Sequence, residues 1–178
     1  VYDQWAAVLG VLSGTYLKPI LESVLRVVRM ANEDALGMVI LSGCRYLRWS
    51  THSTVEVLAL RQFLRFNISL IDTFRRMEER LLHIDLFDCI IQHTDFTVLQ
   101  VNQEKFNLWQ HEVSEIYTMA VRWSQRDGLQ SSACLLLASI FARCPGRVLP
   151  KAQPFLHKRL FPMLQREGRA LTACTCLA

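Results

Sequence analysis

The chain has 178 residues, of which 51% are hydrophobic and 20% are charged. This composition excludes an intrinsically disordered or collagen-like protein, because such chains lack the apolar side chains needed to build a core. The formal net charge of +4 is small compared with that of dedicated nucleic-acid-binding domains, so the charge alone indicates no class of partner.

The cysteines and the charge-free stretches indicate a compartment. The chain has six cysteines without the spacing of a small secreted scaffold, and no signal peptide is visible, so we expect free thiols in an intracellular protein of the cytoplasm or nucleus. The longest uncharged stretches, 4–17 and 128–142, are shorter than the roughly 20 residues that cross a bilayer, which predicts no membrane span. Because the chain begins at Val1, we expect a fragment of a larger protein.

Apolar residues recur at intervals of three and four along nearly the whole chain, which predicts an all-α protein. The first predicted helix starts at Tyr16 and has a charged face opposite its apolar face. A turn at 32–34 supplies capping side chains for a second helix over 35–49. The apolar face of the first helix comprises Leu17, Ile20, Leu21, Val24, Leu25 and Val28, and its charged face comprises Lys18, Glu22, Arg26 and Arg29.

A third predicted helix is long and apolar around most of its circumference. Ser53 and Glu56 have the spacing of a capping box, and the helical pattern continues from there to about Leu82. So wide an apolar arc indicates packing on two sides, as in a layered stack of helices.

The C-terminal half of the chain contains the clearest helical pattern. After a short apolar segment, 86–92, we expect Thr94-Asp95 or Asn102 to cap a helix over 104–126, which Asp127-Gly128 ends. A helix over 131–143 is predicted to be the most buried element, and a last helix over 155–166 is predicted to bend or restart at Pro162.

These elements predict stacked antiparallel helical hairpins in a single domain over 1–170, followed by a short tail over 171–178. This organisation resembles armadillo or HEAT-like α-solenoid proteins, which usually serve as scaffolds and as peptide- or protein-binding surfaces. The resemblance implies a fragment of a larger α-solenoid that acts as a non-enzymatic protein-interaction scaffold in a multi-subunit assembly.

Two clusters of residues have part of the spacing of a metal site, and a structural role explains each of them better. In 111–115 a Glu stands where a zinc-protease helix has its second histidine, so we expect an ordinary helix surface. Cys89 and His93, with His83 and Asp88 nearby, lack a second close pair of ligands, so we expect a core cysteine and boundary histidines. No nucleophile motif or phosphate-binding loop is present, and we predict no catalytic residue, no cofactor and no metal.

Arginine-rich surfaces are the best candidates for binding. We expect other proteins as partners, through an apolar helix or an acidic segment, and Arg61 and Arg65 are predicted to be like charges one turn apart without compensation. The alternative is a nucleic-acid-binding helical module that uses the basic C-terminal region. The predicted partner-binding residues are Arg61, Arg65 and Arg76 on one ridge and Arg143, Arg147, Lys158 and Arg159 nearer the C-terminus.

Overall fold

A computed structural model describes residues 2–30, 40–47, 49, 54–70, 76–94, 103–144 and 152–164. All regular secondary structure in these residues is helical, which confirms the predicted all-α class. The elements are α1 (Tyr2–Met30), α2 (40–44), α3 (Thr54–Leu70), α4 (Met77–His93), α5 (Gln103–Trp123), α6 (Gln130–Arg143) and α7 (152–164).

Helix α1 begins at Tyr2, well before the predicted start, and bends at Tyr16, where φ is −123° and ψ is 35°. Pro19 follows within the same helix. Its ring crowds the carbonyl of Thr15 and it has no N–H to donate, so a regular α-helix is interrupted at this level. The predicted apolar face of the second half of α1 is confirmed, since Leu17 and Leu21 are fully buried.

The prediction of one helix from Ser53 to Leu82 is wrong. Helix α3 ends at Leu70, and α4 begins at Met77 after an extended Arg76 with φ −89° and ψ 145°. The backbone N–H of Arg76 donates to Glu79 Oε2 over 3.2 Å, so a side chain within the helical pattern serves as the start signal of a new helix. The predicted cap at Ser53 lies outside the described residues.

Two further helix boundaries differ from the predictions. The segment 86–92 is part of α4, and Thr94 closes that helix, because its hydroxyl donates to the Ile90 carbonyl over 2.6 Å. Helix α2 is helical only to residue 44, since a tight turn follows in which the Leu47 N–H donates to the Cys44 carbonyl over 3.1 Å. The turn at 32–34 lies outside the described residues.

The predicted helices in the C-terminal half are confirmed in α5 and α6. Val113 and Ile116 of α5 are buried while Arg122 is exposed, as the pattern predicts. Gly128 lies in the turn after α5 with φ +80°, a conformation that only glycine adopts without strain. In α7 a π-helical segment, Leu156–Leu160, precedes Pro162, and the Phe161 N–H donates to the Leu156 carbonyl.

The helices pack in two rows. Helix α1 contacts α3, and α3 contacts α5, which forms the α1–α3–α5 row. Helix α4 contacts α6, and α6 also contacts α5, which joins the second row to the first. Large side chains without solvent exposure belong to one hydrophobic core cluster, including Trp49, Phe63, Phe87, Ile91, Ile116 and Ile140. Helix α1 therefore lies at one end of its row within the part of the chain that the structure describes.

One helix of the described residues meets the length and composition of a membrane span. This segment is Ala7–Met30 of α1, and 28% of its most apolar part is buried inside the protein. Core helices of soluble proteins pass the same test, and one side of α1 packs on α3. The sequence-based expectation of no membrane span stays a prediction.

Candidate interaction surfaces

An ion pair joins α3 to α5 at the ridge that the sequence analysis singled out. The Nε–H of Arg61 donates to Glu112 Oε1 over 2.8 Å. The Glu112 side chain is only 2% exposed, whereas that of Arg61 is 22% exposed. The carboxylate is therefore buried in the contact between the two helices, and the guanidinium reaches it from the rim.

Two further side chains surround the same carboxylate. Arg65 Nε lies 3.7 Å from Glu112 Oε1, and His111 Nδ1 lies 3.2 Å from Glu112 Oε2. The prediction that Arg61 and Arg65 are uncompensated like charges is therefore wrong, because a buried acid on a neighbouring helix stands between them. No local pattern reveals this pairing, since the two partners are separated by 51 positions in the sequence.

The remaining predicted binding residues do not join this ridge. Arg76 is not on α3, since it directly precedes α4. Arg143 at the end of α6 and Lys158 in the π-helical segment of α7 are both exposed. Arg147 and the side chain of Arg159 lie outside what the structure describes, so the convergence of this C-terminal group stays a prediction.

A groove of about 760 Å³ lies between the C-terminal halves of α1 and α3, and we call it the basic groove. Three arginines line it, two from α1 and one from α3, and apolar side chains line it with them. Its lining residues are Glu22, Leu25, Arg26, Arg29, Met30, Gln62, Arg65, Phe66 and Ser69.

The charges of the basic groove are unbalanced. Glu22 is the acidic residue of the lining, and its carboxylate lies 3.7 Å from Lys18 Nζ. The Arg29 guanidinium lies over the Phe66 ring at 5.0 Å from its centroid, a cation–π contact between the two walls. The described lining is thus positively charged, and we call its apolar side chains, Leu25, Met30 and Phe66, the floor of the groove.

A second groove, of about 560 Å³, is lined by α1 and by Ile40 of α2, and we call it the apolar groove. None of its lining residues carries a charge. The Trp5 ring packs directly against Gly43 of α2, where any larger residue would collide with it, so α2 contacts the groove lining at Trp5. The lining residues are Trp5, Leu9, Leu12, Tyr16, Pro19, Ile20, Ser23, Val24, Val27 and Ile40.

The interrupted zinc-protease pattern forms a compact group. Within the described part of the chain, one ligand atom each from His111, Glu112 and Glu115 lie within 4.8 Å of one another. The buried carboxylate of Glu112 already accepts a hydrogen bond from Arg61, so a bound cation would lie beside a guanidinium charge. The expectation of an ordinary helix surface is wrong for Glu112, which is buried. The group belongs to an ion-pair network between α3 and α5.

The surroundings of Cys44, Cys89 and Cys144 raise the pKa of each thiol and so disfavour the reactive thiolate. Burial raises the pKa of Cys44 and of Cys144 to about 12, so both stay protonated at neutral pH. Burial, and then the Asp88 carboxylate, raise the pKa of Cys89. Cys89 Sγ donates to the Arg45 carbonyl over 3.3 Å and lies 3.8 Å from His93 Nδ1, so this pair acts within the packing of α4 against the turn after α2.

Sequence reasoning missed two arginines of the basic groove. Arg26 and Arg29 appear in the pattern only as the charged face of a predicted helix, and the pairing of α1 with α3 is what places them opposite Arg65. The scarcity of acids after Glu22 in the second half of this helix was the available signal.

Comparisons of the chain with protein-family models, with curated proteins and with solved structures find no match. The interpretation of both grooves therefore depends on their own geometry and chemistry.

Proposed function

We propose that the protein is a non-enzymatic protein-interaction scaffold that binds an amphipathic helix of a partner protein in the apolar groove of α1. The lining of this groove is the observation that carries the proposal. Residues 5, 9, 12, 16, 19 and 23 all line it, and they follow one another in steps of four and three. This spacing forms the seam into which the side chains of a second helix pack.

The chemistry of the lining favours an uncharged apolar face on the partner. Trp5, Leu12 and Tyr16 remain 40%, 43% and 57% exposed, so their burial would add to the stability of a complex. A charged side chain placed against this lining would lose its hydration without gaining an ion-pair partner. A partner helix with Leu, Ile or Phe at matching intervals avoids this loss of hydration energy.

The position of α1 in the fold supports the same proposal. Terminal helices of stacked arrays have a polar outer face when nothing covers them. Helix α1 ends the α1–α3–α5 row of the described residues, yet Leu12 and Val27, which line the apolar groove, are 43% and 42% exposed. The contacts between alternate helices also support the finer proposal of a solenoid-type stack within a larger assembly.

Selection from a displayed library of helical peptides against the purified protein tests this function. We expect enriched peptides to carry apolar residues at i, i+3, i+4 and i+7 and to bind at micromolar or better affinity. Leu12→Lys removes that binding, because it places a cation in the uncharged seam. Leu135→Lys is the matched control, since this leucine is 50% exposed on α6, outside the groove.

Comparison with the Leu135→Lys control shows whether the peptides bind in the apolar groove. Peptides that bind wild type and Leu135→Lys equally but lose Leu12→Lys support the apolar groove as the binding site. An enriched set without helical spacing, or one that binds all three proteins alike, contradicts the proposed function.

A further inference from the structure

We propose that the basic groove between α1 and α3 binds an acidic segment of a partner protein whose carboxylates alternate with apolar side chains. This inference rests on the proposed function in one respect: it too treats the protein as a scaffold that binds other proteins. The site and the chemistry of its partner are different from those of the apolar groove.

Among the described residues, the groove lining has a surplus of positive charge. Arg26 has no ion-pair partner within 4 Å among the described residues. Arg65 is 64% exposed and lies 3.7 Å from a carboxylate that already accepts the shorter hydrogen bond from Arg61. Within the described residues, Arg26 therefore carries a charge that no carboxylate pairs with, whereas Arg65 is exposed and shares Glu112 with Arg61.

Arginine is suited to carboxylate recognition because its planar guanidinium donates two parallel hydrogen bonds to one carboxylate. Arg26 and Arg29 are three positions apart on α1, a rise of about 4.5 Å along the helix axis. Arg65 faces them from α3. Carboxylates spaced by one helical turn or by alternate residues of an extended strand therefore match the two walls.

The floor of the groove requires apolar side chains from the same partner. Leu25 is buried, Phe66 is half-buried beneath the Arg29 guanidinium and Met30 is 73% exposed, and all three line the groove together with the arginines. Contact with this floor excludes water, which strengthens the surrounding ion pairs. A purely acidic peptide leaves the floor uncovered, so the partner combines both kinds of residue.

The same features disfavour a nucleic acid as the occupant. Phe66 is the aromatic residue of the lining, and the Arg29 guanidinium lies over its ring, so that ring face is covered and cannot stack on a base. The net charge of +4 is also too small to give the long-range field of a nucleic-acid-binding domain.

Fluorescence anisotropy with three labelled probes tests the inference. The first probe is a short peptide of Glu, Leu and Phe, the second has Lys at each Glu position, and the third is a single-stranded oligothymidine. We expect wild type to bind the first probe most tightly, with an affinity that falls as salt is raised. The double variant Arg26→Glu, Arg29→Glu is expected to bind it at least tenfold more weakly, and Arg26→Gln severalfold more weakly, since each loses charge-assisted hydrogen bonds.

A matched control separates the groove from the overall charge. Arg122→Glu with Arg126→Glu changes the net charge by the same amount at exposed positions of α5 and the following turn. This control is expected to bind within about twofold of wild type, because charges distant from the groove are screened. Circular dichroism checks that each variant is folded, and Arg26→Gln covers the case in which the double variant is not.

The outcomes also separate this inference from the proposed function. Equal losses in the groove variant and in the control, or oligothymidine binding as tightly as the Glu probe, overturn the acidic-segment site. If the acidic probe fails to bind while peptides sensitive to Leu12→Lys still bind, only this inference is wrong. If the acidic probe binds and no Leu12-sensitive peptide exists, the apolar-groove function is wrong and the basic groove stands.

Discussion

Removal of Arg61 tests whether the buried Glu112 carboxylate needs a cation from α3. Breaking a fully buried ion pair by removing one partner costs about 3–5 kcal/mol. Here the carboxylate is 2% exposed, but His111 at 3.2 Å and Arg65 at 3.7 Å remain near it after Arg61→Ala. We therefore expect the free energy of unfolding to fall by about 2 kcal/mol, the contribution of one charge-assisted hydrogen bond.

The partner substitution is expected to cost less. Glu112→Gln leaves an amide oxygen that still accepts a hydrogen bond, and the remaining Arg61 is 22% exposed and can be hydrated. We expect a loss of about 1 kcal/mol, because no buried charge is left without a partner. The double variant completes a thermodynamic cycle, in which the two effects should be non-additive.

Urea unfolding followed by far-UV circular dichroism and tryptophan fluorescence measures these losses. For a protein of this size, about 2 kcal/mol corresponds to a melting temperature lower by about 4–8 °C. Arg122→Ala on the exposed face of α5 is the control and should change stability by less than about 0.5 kcal/mol. The reasoning is refuted if Arg61→Ala costs no more than Glu112→Gln, or if the cycle shows purely additive effects.

Three further predictions concern the core, a turn and a buried histidine. Leu136→Ala should cost about 2–5 kcal/mol, because this side chain is fully buried, whereas Leu135→Ala next to it, 50% exposed, should cost less than about 1 kcal/mol in the same urea titration. Gly128→Ala should cost about 1–2 kcal/mol, since φ is +80° and the new Cβ would lie 2.5 Å from Met77 Sδ, and a Met77→Ala background should leave only the backbone strain. Burial lowers the pKa of His83 below 6.5, so the unfolded chain takes up a proton first as the pH falls. Stability should therefore decrease from about pH 7 downward, and His83→Gln, assayed by urea unfolding at several pH values, should lack this decrease.

The sequence pattern correctly predicted helix α5, which is buried along one side only. In α5 the alternation of three and four places Val113 and Ile116 inside and Arg122 outside, which the structure confirms. Such a helix buries a single stripe, so its apolar period is strong. The same reasoning failed between α3 and α4, because an extended Arg76 separates two helices whose apolar patterns follow one another without a Gly or Pro.

The ion pair between α3 and α5 and the basic groove could not be predicted from local sequence patterns. Arg61 and Glu112 belong to separate elements, and their pairing depends on the packing of α3 against α5. The sequence placed Arg65 on a binding ridge, but it joins Arg26 and Arg29 only because α1 and α3 are neighbours. Long-range packing, which a single sequence does not specify, thus decides which charges meet.

We expect α7 to tolerate a one-residue deletion within its π-helical segment, Leu156–Leu160. A wider helical turn holds one residue more than an ordinary turn, so a one-residue deletion there can be absorbed by return to α-helical bonding. The residues from Phe161 onward would then keep the face that they now present. In an uninterrupted helix such as α6, the same deletion rotates everything that follows by about 100° and removes the buried stripe from the core.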